Sequence, residues 1–279
     1  GASRTIVRRT AGTTRLFNIS LDQGNVASNA VIDGFTIRDA NNSAVYMTVG
    51  AIRNCVFTGN AGGNYGAINM SGGVVSNCLF TGNSAVYDGG GIHMVAPGGL
   101  AVNCIFTNNT AGRWGGGIEF ENTSAAVVRN CLIARNRSTD QAGGISCFES
   151  VCRIESCTVV SNTAGSGNVS YPPLGGGGIW FRLGNASMTN TIVYGNAAPS
   201  GVNYTGTVVA GYSCSPAWDG GNLGVRGNIT ADPRFQESAG DNWRLAPDSP
   251  CLGIGTTQTW MMGAVDLEGV IPLPGGQVA

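Results

Sequence analysis

Hydrophobic positions in this chain fall in short alternating runs and never at sustained helical spacing. β-Branched and aromatic residues alternate with polar ones, and each run stops at Gly, Asn or Ser, which is strand chemistry with turn punctuation. The pattern predicts an all-β chain with little helix. The runs also recur. One phrase reads NCVFTGN from Asn54, NCLFTGN from Asn77, NCIFTNN from Asn103, NCLIARN from Asn130, SCTVVSN from Ser156 and NTIVYGN from Asn190. Between its copies stand GAINM from Gly66, GGIHM from Gly90, GGIEF from Gly116, GGISC from Gly143 and GGIWF from Gly177.

Units this short cannot bury a core alone and must stack on their neighbours. The cysteines Cys55, Cys78, Cys104, Cys131 and Cys157 set the period, and Thr191 takes the sixth place. Their spacings are 23, 26, 27, 26 and 34, so the last interval carries an insertion, read as Gly165 to Gly175 with Tyr171, Pro172 and Pro173 inside it. A degenerate earlier copy, VIDGFTIRDAN from Val31, is read with Gly34 in the Cys place. Three strands winding once per unit predict a right-handed parallel β-helix over residues 1–196. Residues 197–279 are read as an irregular C-terminal cap continuous with the solenoid.

Coils about 4.8 Å apart turn equivalent residues into ladders along the axis. The inward columns are Ile52, Val75, Ala101, Val128, Ile154 and Met188, then Phe57, Phe80, Phe106, Ile133, Val159 and Val193. The five Cys of the repeat point the same way, as small buried hydrophobes with free thiols. Asn60, Asn83, Asn109, Asn136, Asn162 and Asn196 share one turn and are expected to form an amide ladder. One residue after each Cys, the outward Val56, Leu79, Ile105, Leu132, Thr158 and Ile192 make an apolar row that needs a cover. The chain's own tail is the favoured cover, ahead of a partner protein.

Composition narrows the partners. Charged residues are 11% and the net charge is −1, which argues against nucleic acid or an anionic membrane, and all 15 cationic side chains are Arg. No apolar run is long enough to span a bilayer. The start lacks both Met and a signal peptide, as expected of a mature or truncated chain. Four of the nine cysteines lie outside the ladder. They are the disulfide candidates, Cys147 with Cys152 and Cys214 with Cys251, and both pairs suit an oxidising extracellular setting. No CxxC pair exists and His93 is the one histidine, so no metal or cofactor is expected.

The FxxN and GGxI phrases, Phe57 to Asn60, Phe80 to Asn83 and Phe106 to Asn109 with their Gly-Gly-Gly-Ile steps, resemble the repeats of chlamydial polymorphic outer-membrane proteins. The ending DPRF from Asp232, WRLAPDSPCLGIG from Trp243 and GAVD from Gly263 resembles secreted bacterial β-helix proteins of the choice-of-anchor-Q-like class. The resemblance covers most of residues 31–266. It implies a surface or secreted β-helix and no single activity, since such relatives include adhesins, anchored proteins and some polysaccharide-active enzymes.

Chemistry is sought on the strand after each Gly step. Its outward column is read as Asn69, His93, Glu119, Ser146 and Trp180, with Ser71, Val95, Glu121, Phe148 and Arg182 two residues further on. Asp88, Arg113, Trp114 and Asp140 approach from the preceding turns. His93 and Glu119 on adjacent coils are candidates for a general acid–base pair, and Glu119 with Glu121 for a glycosidase carboxylate pair. Trp114, Phe148, Trp180 and Arg182 are the candidate glycan or partner contacts. The bland reading, ordinary polar surface, outweighs the catalytic one.

The expectation is therefore a non-catalytic extracellular or cell-surface scaffold or adhesin, with assembly into a fibre as its extension. Its partners would be copies of itself, end-to-end or lateral, or surface glycans. The alternative is a polysaccharide lyase or hydrolase, or a glycan-binding module, using the outward face.

Overall fold

The computed structural model describes residues 5–9, 15–20, 29–61, 63–165, 175–199, 201, 203–216, 218, 221–237 and 242–256. Most of the expected insertion (166–174) and the GAVDLEG phrase from Gly263 lie outside them. The described residues form strands and turns without a helix, so none of them builds a helix long and apolar enough to cross a membrane. The strands stack in parallel into a right-handed β-helix of about seven coils.

Three sheets of eight strands run the length of the stack. Sheet I holds the strands after each Cys, such as Val56–Thr58, Leu79–Thr81 and Ile105–Thr107. Sheet II holds those before it, such as Ala51–Arg53, Val74–Ser76 and Leu100–Val102. Sheet III holds the strands after the Gly step, including Ile68–Met70, Ile92–Val95, Ile118–Glu121, Ile145–Phe148 and Ile179–Arg182. A fourth, five-stranded sheet lies between I and III in five of the coils, with Gly63–Tyr65, Ser84–Asp88 and Thr110–Ala111 among its strands. The three-strand count does not foresee it, because strands of two residues such as Thr110–Ala111 carry too little alternation to read.

Left-handed residues make the corners. Between sheets II and I stand Asn54, Asn77, Asn103, Asn130, Ser156 and Asn190, with φ between 47° and 55°. Asn tolerates this region better than most side chains, which is why the Asn-Cys phrase recurs. In the degenerate copy, Ile32 pairs with Ile52 and Asp33 with Arg53. Gly34 at φ 81° therefore stands opposite Asn54, and Phe35 takes the Cys place. The sequence reading of that copy is off by one because a left-handed turn accepts Gly as readily as Asn.

Both predicted inward columns are buried, with Ile52, Val75 and Ala101 on sheet II and Phe57, Phe80 and Phe106 on sheet I. Phe80 stacks between Phe57 at 4.8 Å and Phe106 at 4.7 Å. The amide ladder is continuous. Asn60 Nδ2 donates to Asn83 Oδ1 at 2.9 Å, Asn83 to Asn109 at 2.9 Å, and the series runs through Asn136, Asn162 and Asn196 to Asn203. Each Oδ1 also accepts the backbone N–H of the preceding rung, as Asn109 Oδ1 does from Asn83 at 3.1 Å.

The cysteine column works alike with weaker acceptors. Cys78 Sγ accepts from Cys55 N at 3.4 Å, and Cys131 Sγ from Cys104 N at 3.4 Å. At the C-terminal end oxygen replaces sulfur. Cys157 N donates to Thr191 Oγ1 at 3.2 Å, Thr191 N to Ser213 Oγ at 3.1 Å, and Ser213 N to Asn228 Oδ1 at 3.0 Å.

The coil continues past Asn196. Tyr204–Thr205 joins sheet III and Val209–Gly211 joins sheet II. Irregular loops between these strands break the spacing and hide them from a periodic reading. An antiparallel pair, Phe235–Glu237 with Asn242–Leu245, then folds back over sheet I. Trp243 packs with Ile105, Leu132, Ala134 and Val160, beside Leu79 and Phe235. The side chains over much of the outward apolar row thus come from the chain's own C-terminal region.

Candidate functional site

The outward positions of sheet III hold the candidate chemistry in register. Asn69 pairs with His93, His93 with Glu119, Glu119 with Ser146 and Ser146 with Trp180. The column points away from the core, as the alternation requires, but it is not open. Asn69, His93, Glu119, Ser146 and Trp180 are all buried, with His93 at 1% and Glu119 and Trp180 at 0% exposure. The expectation of an accessible strand face is corrected here.

The cause is the corner that precedes each strand. Gly89 and Gly115 have φ of 62° and 61°, which turns the chain back over the strand it is about to form. The crossing is close enough that a Cβ on Gly89 would lie 2.9 Å from His93 Cα, and one on Gly115 3.1 Å from Glu119 Cα. Glycine meets both demands at once. The turn residues thereby form a second layer over the column: Tyr65, Asp88, Trp114 and Gln141. Tyr65 stacks on the His93 ring at 3.9 Å. Gln141 is buried and accepts from Gly175 N at 2.7 Å.

Under this layer the polar groups sort into two sets. In the first, His93 Nε2 lies 3.0 Å from Glu121 Oε2, and its Nδ1 lies 3.4 Å from Asn69 Oδ1. Hydrogen bonding to His93 holds the Glu121 carboxyl below its ordinary value, against the opposing effect of burial. Glu121 reaches solvent with 30% of its side chain. The hydrogen-bonded acid–base pair on this face is thus His93 with Glu121, not His93 with Glu119.

The second set surrounds Asp88, which is buried. It accepts from Arg113 Nε at 3.0 Å and from Trp114 N at 3.2 Å, and Arg113 Nη2 bonds its other oxygen. Arg113 lies over the Trp114 ring at 4.2 Å and over Tyr87 at 5.4 Å.

Glu119 sits between these sets with neither oxygen in a hydrogen bond, and Ser146 Oγ beside it is unsatisfied as well. Burial drives its pKa well above the ordinary 4.5. The charges of Asp88 and Glu121 add to the rise, and that of Arg113 opposes it. Enclosure of this kind favours the protonated, neutral form of the carboxyl. The group cannot reach a substrate and cannot pair with Glu121 across an open cleft in the manner of a glycosidase.

The aromatic candidates form one packed cluster. Trp114, Ala142 and Trp180 are buried together, with Phe148 against them. Trp114 stacks on Phe148 at 4.9 Å and meets Trp180 at 5.5 Å. Trp114 and Trp180 are therefore packing residues rather than stacking platforms for a sugar. Phe148 and Arg182 are half-buried, and the Arg182 guanidinium lies 5.0 Å from the Phe148 ring and 3.5 Å from Glu149. A cavity of ≈ 440 Å³ adjoins Arg182, lined also by Cys147, Phe181, Leu183 and Gly206, with no carboxylate among the described lining residues.

Of the four bridge candidates, Cys147 and Cys152 are joined in a disulfide, with Cα atoms 6.5 Å apart. Cys214 and Cys251 are unbridged and buried in one cluster. The sequence reading did not give Tyr65 a role. Tyr65 stands one residue before its Gly step where Asp88 stands two, and the register shift that pairs them is not legible in the sequence.

Residues 18–198 match the right handed beta helix region, and the chain belongs to that family. No curated protein and no solved structure matches it.

Proposed function

We propose that the chain is a non-catalytic β-helix scaffold or adhesin of the cell surface or extracellular space. One observation carries this reading: the strand face where β-helix chemistry was sought is closed by the chain's own turns, with His93, Glu119 and Trp180 at most 1% exposed. Buried polar ladders along the axis favour rigidity over turnover. The Cys147–Cys152 disulfide suits an oxidising compartment. Assembly into a fibre extends the proposal, since a regular solenoid of low charge can add copies end to end.

A polysaccharide panel incubated with the purified protein tests the core of this reading. No new reducing or unsaturated chain ends are expected. Cleavage that disappears in Glu121→Gln would overturn it and return His93 and Glu121 to a catalytic role. Electron microscopy addresses the extension: filaments support assembly, and monodisperse particles at high concentration count against it.

Glycan binding without cleavage is the second reading, favoured by the part-exposed Phe148 and by Arg182, which lies over its ring and lines the cavity. Binding on a glycan array that is lost in Arg182→Ala, with no chain ends released, would select it.

A further inference from the structure

Cys214 lies in the outward column of sheet I. It forms an isolated parallel bridge with Ile192, the previous member of that column, while Ser213 continues the inward ladder. Cys251 comes from the segment that follows the covering hairpin. Both are buried in one cluster with Ile192, flanked by Tyr194, Ile229, Phe235 and Leu245. Column and cover thus each contribute one cysteine to the same cluster, where Cys214 Sγ donates to Ala231 O at 3.1 Å. The covering segment is also fixed beyond Cys251, where Asn190 Nδ2 donates to Thr256 O at 2.7 Å and Thr256 N to Asn190 Oδ1 at 2.9 Å.

The ladder thiols do not compete. Each points inward with its Sγ on the carbonyl two residues back, as Cys78 does on Ser76 O at 3.1 Å and Cys131 on Arg129 O at 3.1 Å.

We propose that Cys214 and Cys251 are a covalent latch, closing to a disulfide that locks the C-terminal cover onto the outward apolar column of the solenoid. The oxidant is an external disulfide, either a small molecule or a redox protein. Cys251 Sγ attacks it as the thiolate, forming a mixed disulfide and expelling one thiol. Cys214 Sγ then attacks the Cys251 sulfur and expels the second. Two S–H bonds are lost and one S–S bond forms, the external disulfide is reduced to two thiols, and the two protons pass to them. The order follows from access, because Cys251 is 8% exposed and Cys214 0%. The neighbouring Cys214 thiol also holds Cys251 below its ordinary thiol value, the direction an attacking group needs.

The latch needs only an oxidant, so it stands or falls separately from the proposed function. The folded chain is incubated with oxidised glutathione, its free thiols are alkylated after unfolding, and the peptides are mapped without reduction. The expected result is a linked peptide joining Cys214 and Cys251 beside the Cys147–Cys152 peptide, with the five ladder cysteines alkylated. Alkylation of Cys214 and Cys251 as free thiols, or linkage of either to a ladder cysteine, overturns the proposal. Hydrogen exchange supplies a second reading on the intact chain. Against a Cys251→Ser variant, the oxidised protein should protect the amides of 242–245 by about 10²-fold more, with the Phe57 to Phe106 column unchanged. Equal protection in both would show that the bridge does not act as a latch.

Discussion

His93 Nε2 stands 3.0 Å from Glu121 Oε2, whereas its partner in strand register is Glu119. The bond runs diagonally, one coil up and two residues along. It leaves Glu119 enclosed without a counter-ion of its own, and the next expectation follows from that arrangement.

Glu119→Gln should stabilise the protein at neutral and alkaline pH. In the unfolded chain Glu119 ionises through its ordinary 4.5, while in the fold it keeps its proton to a higher pH. The folded state then binds more protons, so stability falls as pH rises above 4.5, by up to about 1.4 kcal/mol per unit until the folded carboxyl titrates. Urea unfolding at several pH values should show this slope in the wild type and lose it in the variant. A slope unchanged in Glu119→Gln would mean that Glu119 is ionised in its pocket.

Glu121→Gln should act at the opposite end of the scale. Its carboxyl is held low by His93, so its contribution is present above 4.5 and lost as pH falls through the lower folded value. Because the side chain is partly exposed, the loss at pH 7 should be about 1 kcal/mol, measured by the same titration.

Phe80→Ala removes the middle ring of a three-ring stack and should cost about 3–5 kcal/mol. Its neighbours Leu79 and Thr81 face the other way and should tolerate truncation better. Equal costs at all three positions in denaturant unfolding would contradict the assigned alternation.

Asn109→Ala should cost about 3 kcal/mol despite the loss of little apolar area. The change strands Phe80 O, Asn83 N and the Asn136 Oδ1 lone pair inside the stack, where the amide now satisfies them. Asn109→Asp is the sharper control, because it keeps the shape and loses the donor. Calorimetry should place both variants well below the wild type.

Thiol titration in the native state should leave Cys55, Cys78, Cys104, Cys131 and Cys157 unmodified until the chain unfolds. All five are at most 1% exposed. Rapid labelling of any of them would mean that the coils open locally.

Much of this fold is legible in the sequence because stacking repeats one environment in every coil. A column such as Phe57, Phe80 and Phe106 is written three times over, and the Asn ladder six times. What repetition does not encode is the path of the chain between strands. The order Asp88-Gly89-Gly90-Gly91 reads as a flexible step, yet Gly89 turns the backbone across His93 and converts an outward face into a buried one. Alternation fixes which side of a strand a residue takes, and it cannot say whether something lies over that side. Gly34 misled in a related way, since a left-handed corner and a small inward residue both accept glycine.

The amide ladder has a direction. Every Nδ2 from Asn60 to Asn196 donates toward the C-terminal neighbour, and every receiving Oδ1 faces the coil before it. Each coil therefore presents the same socket below and the same plug above, whatever its loops contain. A gene encoding such a chain can gain or lose whole coils by duplication or deletion without creating a mismatched joint. Chain length becomes a variable that natural selection can tune separately from the fold.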